Sequence, residues 1–189
     1  MEDIIRIKEM LEQDRPETWD TLPDIELYMD QVVSYLPRQS VGGKIPSMTS
    51  AMINNYVKDG LLPRACGKRY HKEHLIYLTA IGLLKNVLTV KDMKLLLDNE
   101  IHEGKEREFY EKFLLGIDEA FAPVEDRLPA ELPEDELAEM AMRLALTSCA
   151  AKTACEHLLA VIRANNPEED PKAKKENTKK AKAEKNKDE

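Results

Sequence analysis

The chain has 189 residues, of which 34% are charged and 5% aromatic, and its formal net charge is −8. This composition suits a helical protein and argues against a β-sandwich. We expect no transmembrane helix, because no run of about 18 apolar residues is present. The first ten residues, MEDIIRIKEM, lack the basic-then-apolar order of a signal peptide. Three cysteines cannot all pair within one chain, so reduced thiols and a cytoplasmic location are expected.

Basic residues are concentrated in one block of the chain. Residues 38–94 hold 10 basic and 3 acidic side chains, a net charge of +7, whereas residues 1–37 carry −7 and residues 95–163 carry −9. Affinity for DNA begins when basic groups replace condensed counterions, so this asymmetry favours a DNA-facing surface within residues 38–94. The alternative is that these lysines and arginines only decorate a solvated face.

Helical periodicity predicts two elements at the start of the chain. Residues 1–14 form an amphipathic helix. Asp24 is a suitable N-cap for a second helix over residues 24–36, which Pro37 ends. Trp19, between them, is expected in the core rather than stacked on a ligand. Residues 38–47 form a connector with two glycines and a proline, which is either a mobile loop near DNA or a surface insertion.

The third element is a short helix with a polar face over residues 49–59. Thr49 or Ser50 caps it, Ile53 and Tyr56 face inwards, and Gly60 ends it in a left-handed conformation. A basic loop over residues 61–70 follows, and then a long apolar helix through Leu75, Leu78, Ile81, Leu84 and Leu88. This order is typical of a winged helix-turn-helix.

Eight side chains in this region are candidates for contact with DNA. Asparagine can pair with the edge of adenine, and lysine or arginine can reach guanine or phosphate. An asparagine can also be structural, and that alternative stays open for both asparagines of the helix. Tyr56 and Tyr70 are expected to be core anchors. The candidates are Lys44, Thr49, Asn54, Asn55, Lys58, Arg64, Lys68 and Arg69.

Two resemblances strengthen this interpretation. The stretch MINNYVKDGLL, residues 52–62, resembles the end of the recognition helix in MerR-type regulators, and the residues after it resemble their wing and the helix behind it. The arginine that those proteins carry near the start of this helix is Asn54 here. The segments LYMDQVV, TSAMINNYVK and KRYHKEHL resemble more closely an uncharacterised bacterial family, domain of unknown function 1836, over roughly residues 19–98. The resemblance implies a MerR-like winged helix-turn-helix and no particular activity.

The C-terminal half is predicted to be helical and acidic. Thr89 and Asp92 form a capping-box pattern that opens a short helix. Residues 105–121 carry an apolar stripe that includes Phe109, Phe113 and Ile117. Residues 122–133, with three prolines, are expected to be a linker. A long helix over residues 133–163 follows, and residues 164–189, which lack large apolar side chains, are expected to be disordered.

The long helix carries a heptad-type seam, with apolar or small residues spaced 4-3-4-3-4-3-4. We expect this seam to form a homodimer, although packing within the chain against the helix over residues 105–121 is an alternative. Either orientation of the two helices is possible. The seam consists of Leu137, Ala141, Leu144, Ser148, Ala151, Cys155, Leu158 and Ile162.

No residue pattern indicates catalysis. The chain has no glycine-rich phosphate loop, no GxSxG and no convincing metal-ligand spacing, since His71, His74 and Cys66 lack a fourth partner. We therefore expect a non-enzyme with no metal or cofactor.

The predicted fold is all-α, with an N-terminal helix over residues 1–18, a winged helix-turn-helix domain over residues 19–98, a helical self-association or effector region over residues 99–163, and the tail. The expected function is that of a DNA-binding transcriptional regulator with an unidentified effector. The alternative is a non-catalytic protein–protein interaction module.

Overall fold

The computed structural model of the protein describes residues 2–165, which fold into α-helices joined by turns and by longer connections, such as residues 14–28 and 39–49. Single β-bridges occur in this range, but no longer β-ladder does. The predicted all-α class is therefore confirmed. The helices are α1 (Glu2–Gln13), α2 (Met29–Tyr35), α3 (Ser50–Lys58), α4 (Lys72–Leu84), α5 (Val90–Glu100), α6 (Glu106–Asp126) and α7 (Leu137–Asn165), with 3-10 turns at Leu36–Arg38 and Glu134–Glu136.

The chain divides into two units, Met1–Leu144 and Ala145–Glu189. The described part of the second unit is the C-terminal portion of α7. Ala164 and Asn165, which we expected in the disordered tail, belong to this helix, and the rest of that tail lies outside the described residues. Between residues 2 and 165, no helix has both the length and the apolar character needed to cross a bilayer.

Helix α4 is the centre of the first unit. Leu75, Ile76, Leu78 and Ile81 are fully buried along it, and α4 packs against α6 and against the 3-10 turn that follows α2. Helix α1 packs against α6, and α2 packs against α3. Because α4 is apolar on nearly every side, it must be covered by neighbours all round. The shorter helices are therefore held in place by their contacts with this core.

The predicted start of the second helix at Asp24 is wrong, because α2 begins at Met29. Residues before it are extended, and the backbone N–H and C=O of Leu27 pair with those of Tyr70 at 2.8 Å each. This antiparallel bridge satisfies the backbone groups that a helix would otherwise have used. The predicted stop at Pro37 also needs correction, since Pro37 lies inside the 3-10 turn Leu36–Arg38 that extends α2.

The predicted linker over residues 122–133 begins too early, because α6 continues through Pro123 to Asp126. Proline lacks the N–H that would donate to the carbonyl of Glu119, four residues earlier. Both residues are exposed, so water can satisfy that carbonyl and the helix continues for about one more turn.

A buried polar network joins the segment after α2 to α4 and α6. The amide nitrogen of Gln39, a residue that is 1% exposed, donates to the Tyr35 hydroxyl at 3.0 Å, and that hydroxyl donates to the Glu17 carboxylate at 2.6 Å. The hydroxyl of Tyr110 donates to the Glu17 carbonyl at 2.7 Å and lies 3.2 Å from Gln39 Oε1. Burial, and secondarily the neighbouring Glu17, raises the pKa of Tyr35 well above its usual value. Both tyrosines therefore stay neutral and remain hydrogen-bond donors.

His74 fixes the start of α4 and the turn in front of it. Its Nδ1 accepts a hydrogen bond from the backbone N–H of His71 at 3.0 Å, so the neutral ring carries its proton on Nε2, which faces the carbonyl of Arg64 at 3.4 Å. Burial lowers the pKa of His74. Protonation of Nδ1 would place an N–H against the N–H of His71 and break the cap of the helix.

We predict that Tyr110→Phe lowers the free energy of unfolding by about 1–3 kcal/mol, because the Glu17 carbonyl loses the hydroxyl that donates to it and the buried Gln39 amide loses a polar neighbour. Tyr77→Phe is the matched control, since no hydrogen bond of its hydroxyl is seen within residues 2–165, and it should change stability much less. Urea unfolding followed by circular dichroism measures both. Equal losses in the two variants would contradict the role of the network.

We predict that His74 makes stability depend on pH below about 6.5, the ordinary pKa of histidine. The folded-state pKa is lowered, so the unfolded chain binds more protons in that window and the free energy of unfolding falls as the pH decreases. Between pH 7 and pH 5, the free energy of unfolding should therefore fall more steeply for the parent than for His74→Gln. His102→Gln, at an exposed position, should retain the steep profile of the parent.

Candidate nucleic-acid interface

Helix α3 presents a polar face to solvent. Ile53 and Tyr56 are buried at 0% and 7% exposure and attach the helix to the core. Asn54, Asn55 and Lys58 are exposed. Residues three and four positions apart share one face of a helix, so Lys58 lies beside both asparagines. The phase of the helix expected from the sequence is confirmed.

Both ends of α3 have the expected caps. The hydroxyl of Thr49 accepts a hydrogen bond from the N–H of Met52 at 3.2 Å, so this exposed candidate side chain already serves as the N-cap. Gly60 has φ +67° after the helix ends, and the N–H groups of Leu61 and Leu62 both return to the carbonyl of Tyr56. The ammonium of Lys94, on α5, donates to the carbonyl of Gly60 at 2.9 Å. Helix α5 thus supports the end of α3.

A tight turn follows at residues 66–69. The backbone groups of Cys66 and Arg69 exchange two hydrogen bonds at 3.1 and 2.9 Å, and Gly67 and Lys68 between them have φ +55° and +68°. Two left-handed central residues define the turn type that joins tight β-hairpins. Lys68 is the one non-glycine residue with positive φ in the part of the chain that the structure describes. Its side chain is exposed at the tip of the turn.

Arg69 has partners within the protein, which the sequence did not indicate. Its guanidinium donates to Glu26 at 2.6 Å and lies over the ring of Tyr28, 5.4 Å from the centroid. The hydrogen bond that Arg69 donates to Glu26 raises the pKa of Arg69. Glu26 also lies 3.9 Å from His71 Nε2. Arg69 is therefore paired with a carboxylate and held in place, whereas it was expected to be free for phosphate.

Lys44 belongs to a separate turn. Val41 and Lys44 form an antiparallel bridge around Gly42 and Gly43, at φ +57° and +77°. The carboxylate of Asp14 accepts hydrogen bonds from the N–H of Gly43 at 2.7 Å and from the Ser40 hydroxyl. The connector is thus tied to the segment after α1. These contacts place Lys44 beside α1 and not on the polar face of α3.

The structure leaves all eight candidate side chains exposed. Asn54, Asn55 and Lys58 share one helical face, and Arg64 and Lys68 follow in the loop between α3 and α4. Within residues 2–165, no carboxylate lies at ion-pair distance from Lys44, Lys58, Arg64 or Lys68, so these four charges are available to an external anion.

One further basic residue beside this region was not predicted. Lys72, the first residue of α4, holds its ammonium 5.2 Å from the centroid of the Trp19 ring and 3.7 Å from Asp24. Its side chain is 13% exposed. Trp19 is half-buried, so it serves as a partner for a cation at the edge of the core. In the sequence, only the position of Lys72 within the basic block, residues 38–94, indicates that this residue belongs to the basic region.

An apolar groove of about 360 Å³ lies between α4, α5 and α6. Phe109 and Phe113 stack on one wall with their centroids 5.8 Å apart, and the ion pair between Lys112 and Glu100, at 3.0 Å, lies at the edge. The apolar stripe predicted for residues 105–121 faces this groove. Phe109, Phe113 and Ile117 therefore belong to the first unit's own core and groove.

No chemical centre is evident elsewhere in the described chain. Among residues 2–165, no cluster of three or more histidine, cysteine or acidic side chains could hold a metal ion. Cys66 and Cys149 are exposed and Cys155 is half-buried, and none of the three forms a disulfide.

Comparisons with known proteins give a family but no activity. The family model described as "Domain of unknown function (DUF1836)" matches residues 17–113, from the segment before α2 into the first third of α6. No curated protein and no solved structure matches the chain. The match spans just over half of the 189 residues. The chain therefore belongs to the DUF1836 family.

Proposed function

We propose that the protein is a bacterial, cytoplasmic transcriptional regulator that binds double-stranded DNA as a homodimer. In this proposal α2 and α3 form a helix-turn-helix, α3 enters the major groove, and the turn at residues 66–69 acts as a reduced, MerR-like wing. Residues 133–163 supply the dimer contact, and the effector is unidentified.

The observation that carries the proposal is the exposed polar face of α3. Asn54, Asn55 and Lys58 project from a helix whose other side is anchored by Ile53 and Tyr56. Asparagine can make two hydrogen bonds to adenine, and lysine can bond guanine or phosphate. A short helix presented in this way has the shape and the chemistry needed to read base edges.

The turn after α3 supports a wing-like role. Tyr70 pairs with Leu27 beside the turn, in the way that a wing pairs with a preceding strand, although here the pairing is reduced to a single bridge. Lys68 adopts a left-handed conformation that costs a non-glycine residue roughly 1–2 kcal/mol. Backbone strain of this kind is a reason to look for function. A cation held at the tip of a tight turn suits contact with phosphate.

The rival proposal is a non-catalytic protein–protein interaction module. Two observations favour it: Arg69 is already paired with Glu26, and the chain as a whole is acidic. DNA binding is preferred because Lys58, on the same helical face as the asparagines, and Arg64 and Lys68, in the loop that follows, have no carboxylate at ion-pair distance within residues 2–165.

We predict that the protein binds a subset of genomic DNA fragments with a steep dependence on salt. If Lys58, Arg64 and Lys68 contact phosphate, log K should fall with log salt with a slope of roughly −3 per chain. A mobility-shift assay on fragments selected from genomic DNA, repeated from low to physiological salt, measures this slope. Absence of any retarded band at low salt would refute DNA binding and leave the interaction module.

We predict that single substitutions distinguish contacts to phosphate, which affect binding to every sequence, from contacts to bases, which affect binding to the preferred site. Lys68→Ala should weaken binding to every sequence alike and reduce the salt slope by about 0.9. Lys91→Ala, an equal loss of charge on α5, is the control and should have little effect. Arg69→Ala should weaken binding less than Lys68→Ala, because Glu26 already occupies its guanidinium.

Asn55→Ala should cost about 1–3 kcal/mol on the preferred site and less on other sequences. Asn99→Ala, on an exposed part of α5, controls for the loss of an amide. Binding of the preferred site by Asn55→Ala with parental affinity would exclude a base contact by this residue.

A further inference from the structure

Helix α7 is unusual among the described helices because it is long, apolar and mostly uncovered. It contains 29 residues, of which five are charged, and only Leu159 among them is buried. Leu137, Met142, Leu146, Leu158 and Val161 are 42–65% exposed. A helix that is apolar on nearly every side is normally buried. A single copy of the chain therefore leaves surface on α7 that another protein surface must cover.

Most of the heptad seam of α7 is open to such a partner, and the part beside Leu159, which flanks the seam and is 1% exposed, is already covered in a single chain. None of its eight residues is buried: Leu144, Cys155 and Ile162 are half-exposed, and the other five are exposed. The positions that flank the seam are also nearly uncharged, with Lys152 as the one charged residue among them. Flanking charges set the choice of partner in coiled coils, and like charges there can oppose the pairing of a helix with its own copy. Their scarcity favours a second copy of the same helix.

The spacing of the seam is the same in both directions. Reversal of 4-3-4-3-4-3-4 gives the identical pattern, so an antiparallel second copy places every seam residue opposite another. The resulting layers are Leu137 with Ile162, Ala141 with Leu158, Leu144 with Cys155, and Ser148 with Ala151, each occurring twice about the two-fold axis.

The sizes of the side chains favour this antiparallel arrangement over a parallel one. A parallel pair would place each seam residue against itself, so the thin layer of Ala141 would lie between the thick layers of Leu137 and Leu144, although the two helices are at nearly constant separation. The antiparallel pair sets small against large in two of its four layers, and its layers taper smoothly from the ends to the centre. Facing positions of unlike size fill the space between elements best. Antiparallel helix dipoles also attract each other.

The length of α7 is sufficient for a stable pair. At 1.5 Å per residue the helix is about 44 Å long, and a contact strip about 10 Å wide on each copy, together with the flanking side chains, buries roughly 1,000 Å² in total. This buried area reaches the lower limit of the areas that specific protein–protein interfaces bury. Pairing along the seam leaves Met142 and Leu146 uncovered, because they lie on the other side of the helix.

We propose that α7 is the docking surface for a second copy of this chain, and that the two α7 helices pair antiparallel about a two-fold axis between Ser148 and Ala151. This inference deepens the proposed homodimer by assigning its orientation and its residue pairs. It does not require DNA binding, because it rests on the exposure and pattern of α7 alone.

Sedimentation equilibrium of the full chain, without DNA, tests whether α7 is the contact surface of a dimer. The parent should be a dimer at tens of micromolar. Ala151→Glu, which places a charge in the central layers, should be a monomer, and Ala150→Glu, one residue away from the seam, should remain a dimer. A monomeric parent, or equal behaviour of the two glutamate variants, would overturn the proposal. Circular dichroism confirms that both variants are folded.

Disulfide trapping tests whether the two α7 helices are antiparallel, and its result does not depend on a variant that could fail to fold. In a full chain with Cys66→Ser and Cys149→Ser, Cys155 faces Leu144 of the other copy and should form no disulfide-linked dimer on mild oxidation. Addition of Leu144→Cys should give a linked dimer within the same time, whereas Met142→Cys, on the outer side of the helix, should not. Linkage through Cys155 alone would show a parallel pair and overturn the antiparallel arrangement.

The experiments distinguish a failure of the α7 pairing from a failure of the proposed DNA binding. A protein that is dimeric but retards no DNA fragment supports the α7 pairing and refutes DNA binding. A protein that binds DNA and remains monomeric at every concentration supports DNA binding and overturns the pairing.

Discussion

The side-chain amide of Gln39 is the constraint on which the arrangement of the first unit depends. A buried amide that loses its partners costs as much as a lost hydrogen bond or more, so its surroundings must supply donors and acceptors together. Tyr35 from α2 and Tyr110 from α6 meet it, with Thr79 from α4 3.4 Å away. These three helices are thereby fixed relative to the chain that leaves α2. The position of α3, which follows ten residues later, depends on the same anchor.

Elements controlled by local chemistry were predicted well from the sequence. The Thr49 cap, the left-handed Gly60 and the Thr89 cap lie where short motifs placed them, because each interaction joins residues within a few positions. The start of α2 was wrong because the pairing of Leu27 with Tyr70 joins residues 43 positions apart. The end of α6 was wrong because the cost of Pro123 depends on whether Glu119 is exposed, and composition does not show this.

The candidate interface shows the same division between local and distant effects. Helical phase alone was enough to predict that Asn54, Asn55 and Lys58 are exposed, since Ile53 and Tyr56 define the buried side. The pairing of Arg69 with Glu26, and the attachment of the Lys44 turn to Asp14, could not be predicted because the partners are distant in sequence. Sequence therefore identifies the residue types of the interface, and the fold decides which charges remain free.

The distribution of charge has a consequence for how the proposed regulator would approach DNA. The basic block, at +7, lies between segments of −7 and −9, so most of the surface repels a polyanion. In the proposed complex, this repulsion would weaken non-specific binding more than binding through α3, because only the latter orientation would place Lys58 and Lys68 against phosphate. The nearly uncharged seam of α7 would contribute little electrostatic attraction to DNA, and in the proposed homodimer it would contact the second copy instead. An acidic net charge is thus compatible with DNA binding when the basic groups are gathered on one face, and the free energy of association then depends on orientation more than on total charge.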